Sequence, residues 1–201
     1  MHVFATTEIA AALLQAAITL GLAGLFLFLY LRHRKPHFGW WAVAWALYAL
    51  RLGAIIAFLS SDTWAWLFWH QVATGWTALG LLWAALVFSR QAVWRPAYAL
   101  LLLFPPVWSY IAIFRLSHFM LAAGPAVAFL SLTTLWTGVI FWRYRSRTGS
   151  AAATMLAATF LLWAVHHLDY PLLRARGAWN PGATTSISCS CSPSARACCS
   201  W

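Results

Sequence analysis

Six long apolar stretches joined by short links leave this chain few ways to fold. They run from about Thr7 to Leu31, Phe38 to Ser60, Trp64 to Phe88, Pro96 to Phe114, Phe119 to Trp142 and Ala151 to Leu168. A helix of about 20 apolar residues crosses a bilayer core, and short links make successive helices antiparallel. The expected fold is all-α: a polytopic membrane helix bundle of six transmembrane helices. A soluble fold is excluded because 63% of the 201 residues are hydrophobic and only 8% charged. Such a chain has too little polar material to cover a surface in water. Disorder is excluded by the same apolar and aromatic richness.

The charge balance is 13 Lys and Arg against 3 Asp and Glu. In a soluble protein that excess would suggest nucleic acid; here it records sidedness. Arg32, Arg34 and Lys35 follow the first stretch, Arg90 and Arg95 the third, and Arg143, Arg145 and Arg147 the fifth. The opposite side carries Arg115, Arg174 and Arg176, together with all three acids, Glu8, Asp62 and Asp169. Cytoplasmic loops are enriched in Lys and Arg, so the N-terminus is expected outside. The first stretch is not a signal peptide, because its basic cluster follows the apolar run instead of preceding it. The lipid bilayer is the expected partner and nucleic acid is not.

Tryptophan occurs 15 times. Trp40, Trp41, Trp94 and Trp142 fall at the expected inner boundary, and Trp64, Trp66 and Trp179 at the outer one, where aromatic side chains anchor a helix to the headgroups. Pro105 and Pro106 in the fourth stretch and Gly124-Pro125 in the fifth should kink or locally open those helices.

From Gly182 the text changes to GATTSISCSCSPSARACCSW, which holds all four cysteines. Residues 1–178 are therefore read as one membrane domain and 179–201 as an outer loop with a disordered tail. The cysteines admit three readings. Metal binding lacks the usual CxxC spacing and a nearby His. Oxidation is open to a tail lying outside. The third reading is a frameshift, testable through the genetic code. Read from the third base of each codon, with Ser as TCN, every Ser-Cys junction becomes Leu, Met or Val. Every Cys-Ser junction becomes Leu or Phe, and Cys198-Cys199 becomes Leu. The shifted text is an apolar helix, which would supply a seventh span and return the chain to the cytoplasm.

A Trp-rich, N-out region of this kind, with Leu162-Trp163, then His166-His167-Leu168-Asp169-Tyr170-Pro171, then Leu173-Arg174, resembles the N-terminal membrane sensor region of bacterial signalling proteins. In those proteins the last span leads into PAS, histidine-kinase or diguanylate-cyclase modules. The resemblance implies a sensory input domain of the bacterial inner (cytoplasmic) membrane, acting in signal transduction and able to pair as a homodimer. This chain has no phosphoacceptor helix, ATP-binding box or GGDEF motif, so no enzyme activity of its own is expected. A small transporter or a membrane scaffold is the alternative reading.

Polar groups within spans are the functional candidates. Arg51 either snorkels to the outer headgroups or pairs with Glu8, Asp62 or Asp169. His70, Gln71, His166, His167, Asp169 and Tyr170 lie toward the outer side and are the other candidates for lining a ligand pocket, alongside structural hydrogen bonding. Adjacent His166 and His167 point about 100° apart on a helix, which speaks against both facing one metal or haem. No cofactor or metal is expected. Three acids at the rim do not make a catalytic set, and the only lysine, Lys35, lies in a loop, which disfavours a retinal protein.

Overall fold

The structure, a computed structural model, describes residues 3–116 and 119–175, with side chains over 9–116 and 124–168. These residues form six α-helices: α1 (Val3–His33), α2 (Pro36–Ser61), α3 (Trp64–Phe88), α4 (Tyr98–Phe114), α5 (Phe119–Thr148) and α6 (Ala151–Ala175). Among the described residues there is no strand. Five helices are long and apolar enough to cross a membrane, and α4 is a shorter apolar helix of 17 residues. The tail from 179 to 201, with its four cysteines, lies outside the described residues.

Tight links set the up-and-down course. Three of the links are two residues long, and each opens with a left-handed residue: Arg34 (φ 52°), Asp62 (φ 52°) and Gly149 (φ 67°). Each of these donates its backbone N–H to the helix it ends, Arg34 to Tyr30, Asp62 to Phe58 and Gly149 to Arg145, the usual way a helix satisfies its last carbonyls. Lys35 is then extended and Pro36 starts α2, at the one helical position where its missing N–H costs nothing.

The helix termini gather as the charge pattern requires. At one end of the bundle His37 and Phe38 at the start of α2 meet His33 of α1 and Phe88 of α3, and Phe88 lies 4.8 Å from Tyr144 of α5. This is the end that carries the eight basic residues at or just after the C-termini of α1, α3 and α5. The contact between Phe88 and Tyr144 also shows that α3 and α5 run parallel, so α4 must carry the chain back between them. The fifth helix continues past Trp142, and Arg143, Arg145 and Arg147 ride on its last turns instead of a loop. There Arg143 and Arg145 stack on Trp136 and Trp142, and cations complement the negative end of a helix. Trp40, Trp83, Trp94 and Tyr98 form a cluster of edge-on rings at the same end.

Packing follows small residues. A Cβ on Gly80 would lie 3.1 Å from that of Ala44, which brings α3 close against α2, and Gly138 is covered by Leu161 in the same way between α5 and α6. Between membrane helices such small contacts replace the missing hydrophobic drive. The two hairpins meet through larger side chains: Ala44, Leu81, Ala85, Ile140, Phe141, Ala157 and Phe160 form one core, flanked by Trp41 and Trp163. By contrast, among the described residues the backbone of α1 comes close only to that of α2, and the backbone of α6 only to that of α5; α6 reaches α2 through side chains, with Trp163 against Tyr48.

Candidate functional site

The polar residues of the bundle converge on Tyr48, in the middle of α2. Its side chain is buried, and its hydroxyl accepts a hydrogen bond from Gln15 Nε2 of α1 at 2.9 Å. Its ring faces Trp163 of α6 at 6.5 Å and carries the Arg51 guanidinium carbon at 4.7 Å from its centroid. Trp163 in turn lies 5.6 Å from the His167 ring. On the other flank, His70 Nδ1 of α3 is 3.1 Å from the Arg51 backbone carbonyl. A carbonyl can only accept, so Nδ1 carries the proton in this bond. Side chains from α1, α2, α3 and α6 therefore meet at one place.

Arg51 stands ten residues before the end of α2 and fifteen after its start. At about 1.5 Å per residue it is about 15 Å from the Ser61 end, close to the middle of the helix. Its head does not run outward to the headgroups. It folds back over Tyr48, three residues nearer the α2 start, the direction in which a helical Cα–Cβ bond leans. Snorkelling is thus replaced by a cation on an aromatic face. Nor is Asp62 the counter-ion, because it caps α2 eleven residues further on, about 16 Å away along the axis. The buried Arg51 Nε has no hydrogen-bond partner among the described residues.

The remaining candidates are dispersed. Gln71 turns away from His70 into a small cavity of about 30 Å³ between α3, α4 and α5, lined also by Ser109, Pro105 and Phe129. A space of that size suits one water, not a metabolite. His166 is exposed while its neighbour His167 is half-buried, as their angular separation demands. Asp169 and Tyr170 belong to α6, but their side chains lie outside the described residues, as does that of Glu8. Among the described residues no group of three His, Cys, Asp or Glu side chains could hold a metal.

Sequence reasoning missed Gln15, Tyr48 and the part played by Trp163. The signals were present: Gln15 is the one amide in the first apolar run, and Tyr48 precedes Arg51 by three residues, the spacing that stacks two side chains on a helix. Comparison with known proteins returns no matching family, no similar curated protein and no similar solved structure.

Proposed function

We propose that this chain is the membrane-embedded input domain of a bacterial signal-transduction protein, seated in the inner membrane by six spans with its N-terminus outside. Five helices are long enough to cross. The sixth, α4, counts with them because the parallel course of α3 and α5 obliges it to traverse the same slab. Positive-inside then assigns the end bearing Arg34, Arg90 and Arg145 to the cytoplasm.

One observation carries the sensory reading. Arg51, a lone cation near mid-membrane, is joined through Tyr48 to side chains of α1 and α6, and its carbonyl is held by α3. A group that engages Arg51 acts on four helices at once, as transmission from an input site requires. Ionisable groups held inside a membrane mark function, and with no carboxylate in the described cluster the chemistry favoured is binding, not acid–base turnover. The DNA beyond this reading frame tests the proposal. A histidine-kinase or diguanylate-cyclase frame nearby supports it, and an unrelated gene overturns it.

A further inference from the structure

Arg51 is a guanidinium with five N–H donors, seated about 15 Å inside the end of its helix. Among the described residues its buried Nε has no acceptor, and its side-chain contact is the face of Tyr48. A cation at that depth calls for an anion, and the geometry beside it specifies the kind. Flat rings line the place: Tyr48 beneath the guanidinium, Trp45 at 5.9 Å from Tyr48, and Trp163 at 6.5 Å across from α6. The guanidinium fork matches the two oxygens of a carboxylate, while aromatic walls favour a planar ring by offset or edge-on stacking.

The route in is also legible. Among the described residues the α1 backbone comes close only to that of α2 and the α6 backbone only to that of α5, while Tyr48 of α2 and Trp163 of α6 meet through their rings. No helix backbone therefore bridges α1 and α6 over the side of the bundle where Gln15, Tyr48 and Trp163 meet. A ligand entering between α1 and α6 comes from the bilayer and must partition into hydrocarbon. A weak aromatic acid does so in its neutral form, then leaves its proton to water and binds as the anion. An acidic phospholipid carries its phosphate at the headgroup level, far above Arg51.

We propose that Arg51 and the rings of Tyr48 and Trp163 form a binding site for membrane-permeant aromatic carboxylates, reached from the lipid between α1 and α6. This deepens the sensory reading, since it names the ligand class of the same hub, yet it stands or falls separately from the genetic context.

The test uses the full chain in phosphatidylcholine nanodiscs, with benzoate as probe, cyclohexanecarboxylate as its non-aromatic counterpart, and inorganic phosphate and phosphatidylglycerol as other anions. Benzoate should raise the thermal midpoint saturably, and the line of 4-fluorobenzoate in fluorine NMR should broaden. Cyclohexanecarboxylate should bind about tenfold more weakly, and phosphate and phosphatidylglycerol should give no saturable shift. Arg51→Leu should abolish the effect and Trp163→Leu weaken it about tenfold. Arg51→Lys, which keeps the charge but not the fork, serves where Arg51→Leu does not fold, and should also weaken binding. Absence of a saturable benzoate response in the wild-type chain, undiminished binding by Arg51→Leu or Arg51→Lys, or an equal response to phosphate or phosphatidylglycerol overturns the proposal. A benzoate site found beside an unrelated downstream gene would leave this inference standing and remove the signalling one.

Discussion

Trp76 Nε1 donates to the backbone carbonyl of Leu102 at 3.0 Å, the carbonyl that Pro106 deprives of its helical donor. An α-helical carbonyl at position 102 would receive the N–H of residue 106, and proline has none. An indole from α3 thus supplies what the fourth helix lacks. In hydrocarbon an unsatisfied carbonyl has no water to turn to, so this bond fixes α4 against α3 through a flaw in α4 itself.

Trp76→Phe should therefore lower stability by about 1–3 kcal/mol, the cost of an unpaired polar group. In a Pro106→Ala background the helix regains its own donor, and the same change should cost less. Equilibrium unfolding of the two single variants and the double variant measures the coupling. Additive losses would mean that the bond does not compensate for the proline.

Gly75, the preceding residue of α3, meets the neighbouring Pro105 of α4. A Cβ there would fall 2.6 Å from Pro105 Cγ and 2.7 Å from its Cβ, whereas Gly53 on α2 has nothing within 4 Å. A proline ring has no far end to swing away, so Gly75→Ala should cost about 1–3 kcal/mol by overpacking. Gly53→Ala should instead be neutral or stabilise by about 0.5–1 kcal/mol, the usual gain within a helix. Thermal unfolding in detergent distinguishes the two, and equal responses would sink the packing argument.

The helices were legible in the sequence because apolar length writes them directly: four of the six expected spans recur with ends within a few residues, while α5 and α6 run six and seven residues past their apolar stretches. Hydropathy gives no place to residues that satisfy one another across helices. Gln15 and Tyr48 are 33 positions apart, and Trp76 and Leu102 are 26 apart. Neither pairing has a local signature, since each joins two different helices and depends on how they pack. His70 and Gln71 show the limit most clearly. They are neighbours in sequence, yet one binds the carbonyl of Arg51 and the other lines a small cavity between α3, α4 and α5, because adjacent helical residues diverge by about 100°.

For Arg51 the expected sign of a substitution follows from its missing acceptor. If an acid held it, Arg51→Leu would strand that acid and lower stability by about 3–5 kcal/mol. With no such acid among the described residues, Arg51→Leu should stabilise the ligand-free protein in lipid, by up to about 2.5–3.5 kcal/mol on insertion scales. Asp62→Asn should leave stability unchanged. Destabilisation by Arg51→Leu, matched by Glu8→Gln or Asp169→Asn, would identify an ion pair instead.

Tyr48 is tied to α1 through its hydroxyl. Tyr48→Phe leaves the Gln15 amide without this acceptor, a loss of about 1–2 kcal/mol between membrane helices. Removing both partners, as in Gln15→Leu with Tyr48→Phe, should restore most of it, since paired removal leaves nothing stranded. Because among the described residues the α1 backbone comes close only to that of α2, the single variant should show its effect first as faster proteolysis or exchange in α1. A uniform loss across the bundle would show that the bond does not localise to the α1–α2 seam.

Sidedness can be read with reporters active only outside the cytoplasm. Fusions after Asp62 and Arg174 should be active, and fusions after Arg34 and Arg145 silent. A fusion after Arg115 decides the status of α4, whose 17 residues make about 25 Å of helix, a little under the usual hydrocarbon thickness of about 30 Å. Membranes thin and flanking side chains reach out at modest cost to accommodate such a mismatch. The contact between Phe88 and Tyr144 leaves α4 the only return path between two parallel helices. Activity after Arg115 is therefore expected. Silence there would make α4 a re-entrant or interfacial helix and break the parallel relation of α3 and α5, and a wholly inverted pattern would turn the Arg51 hub toward the cytoplasm.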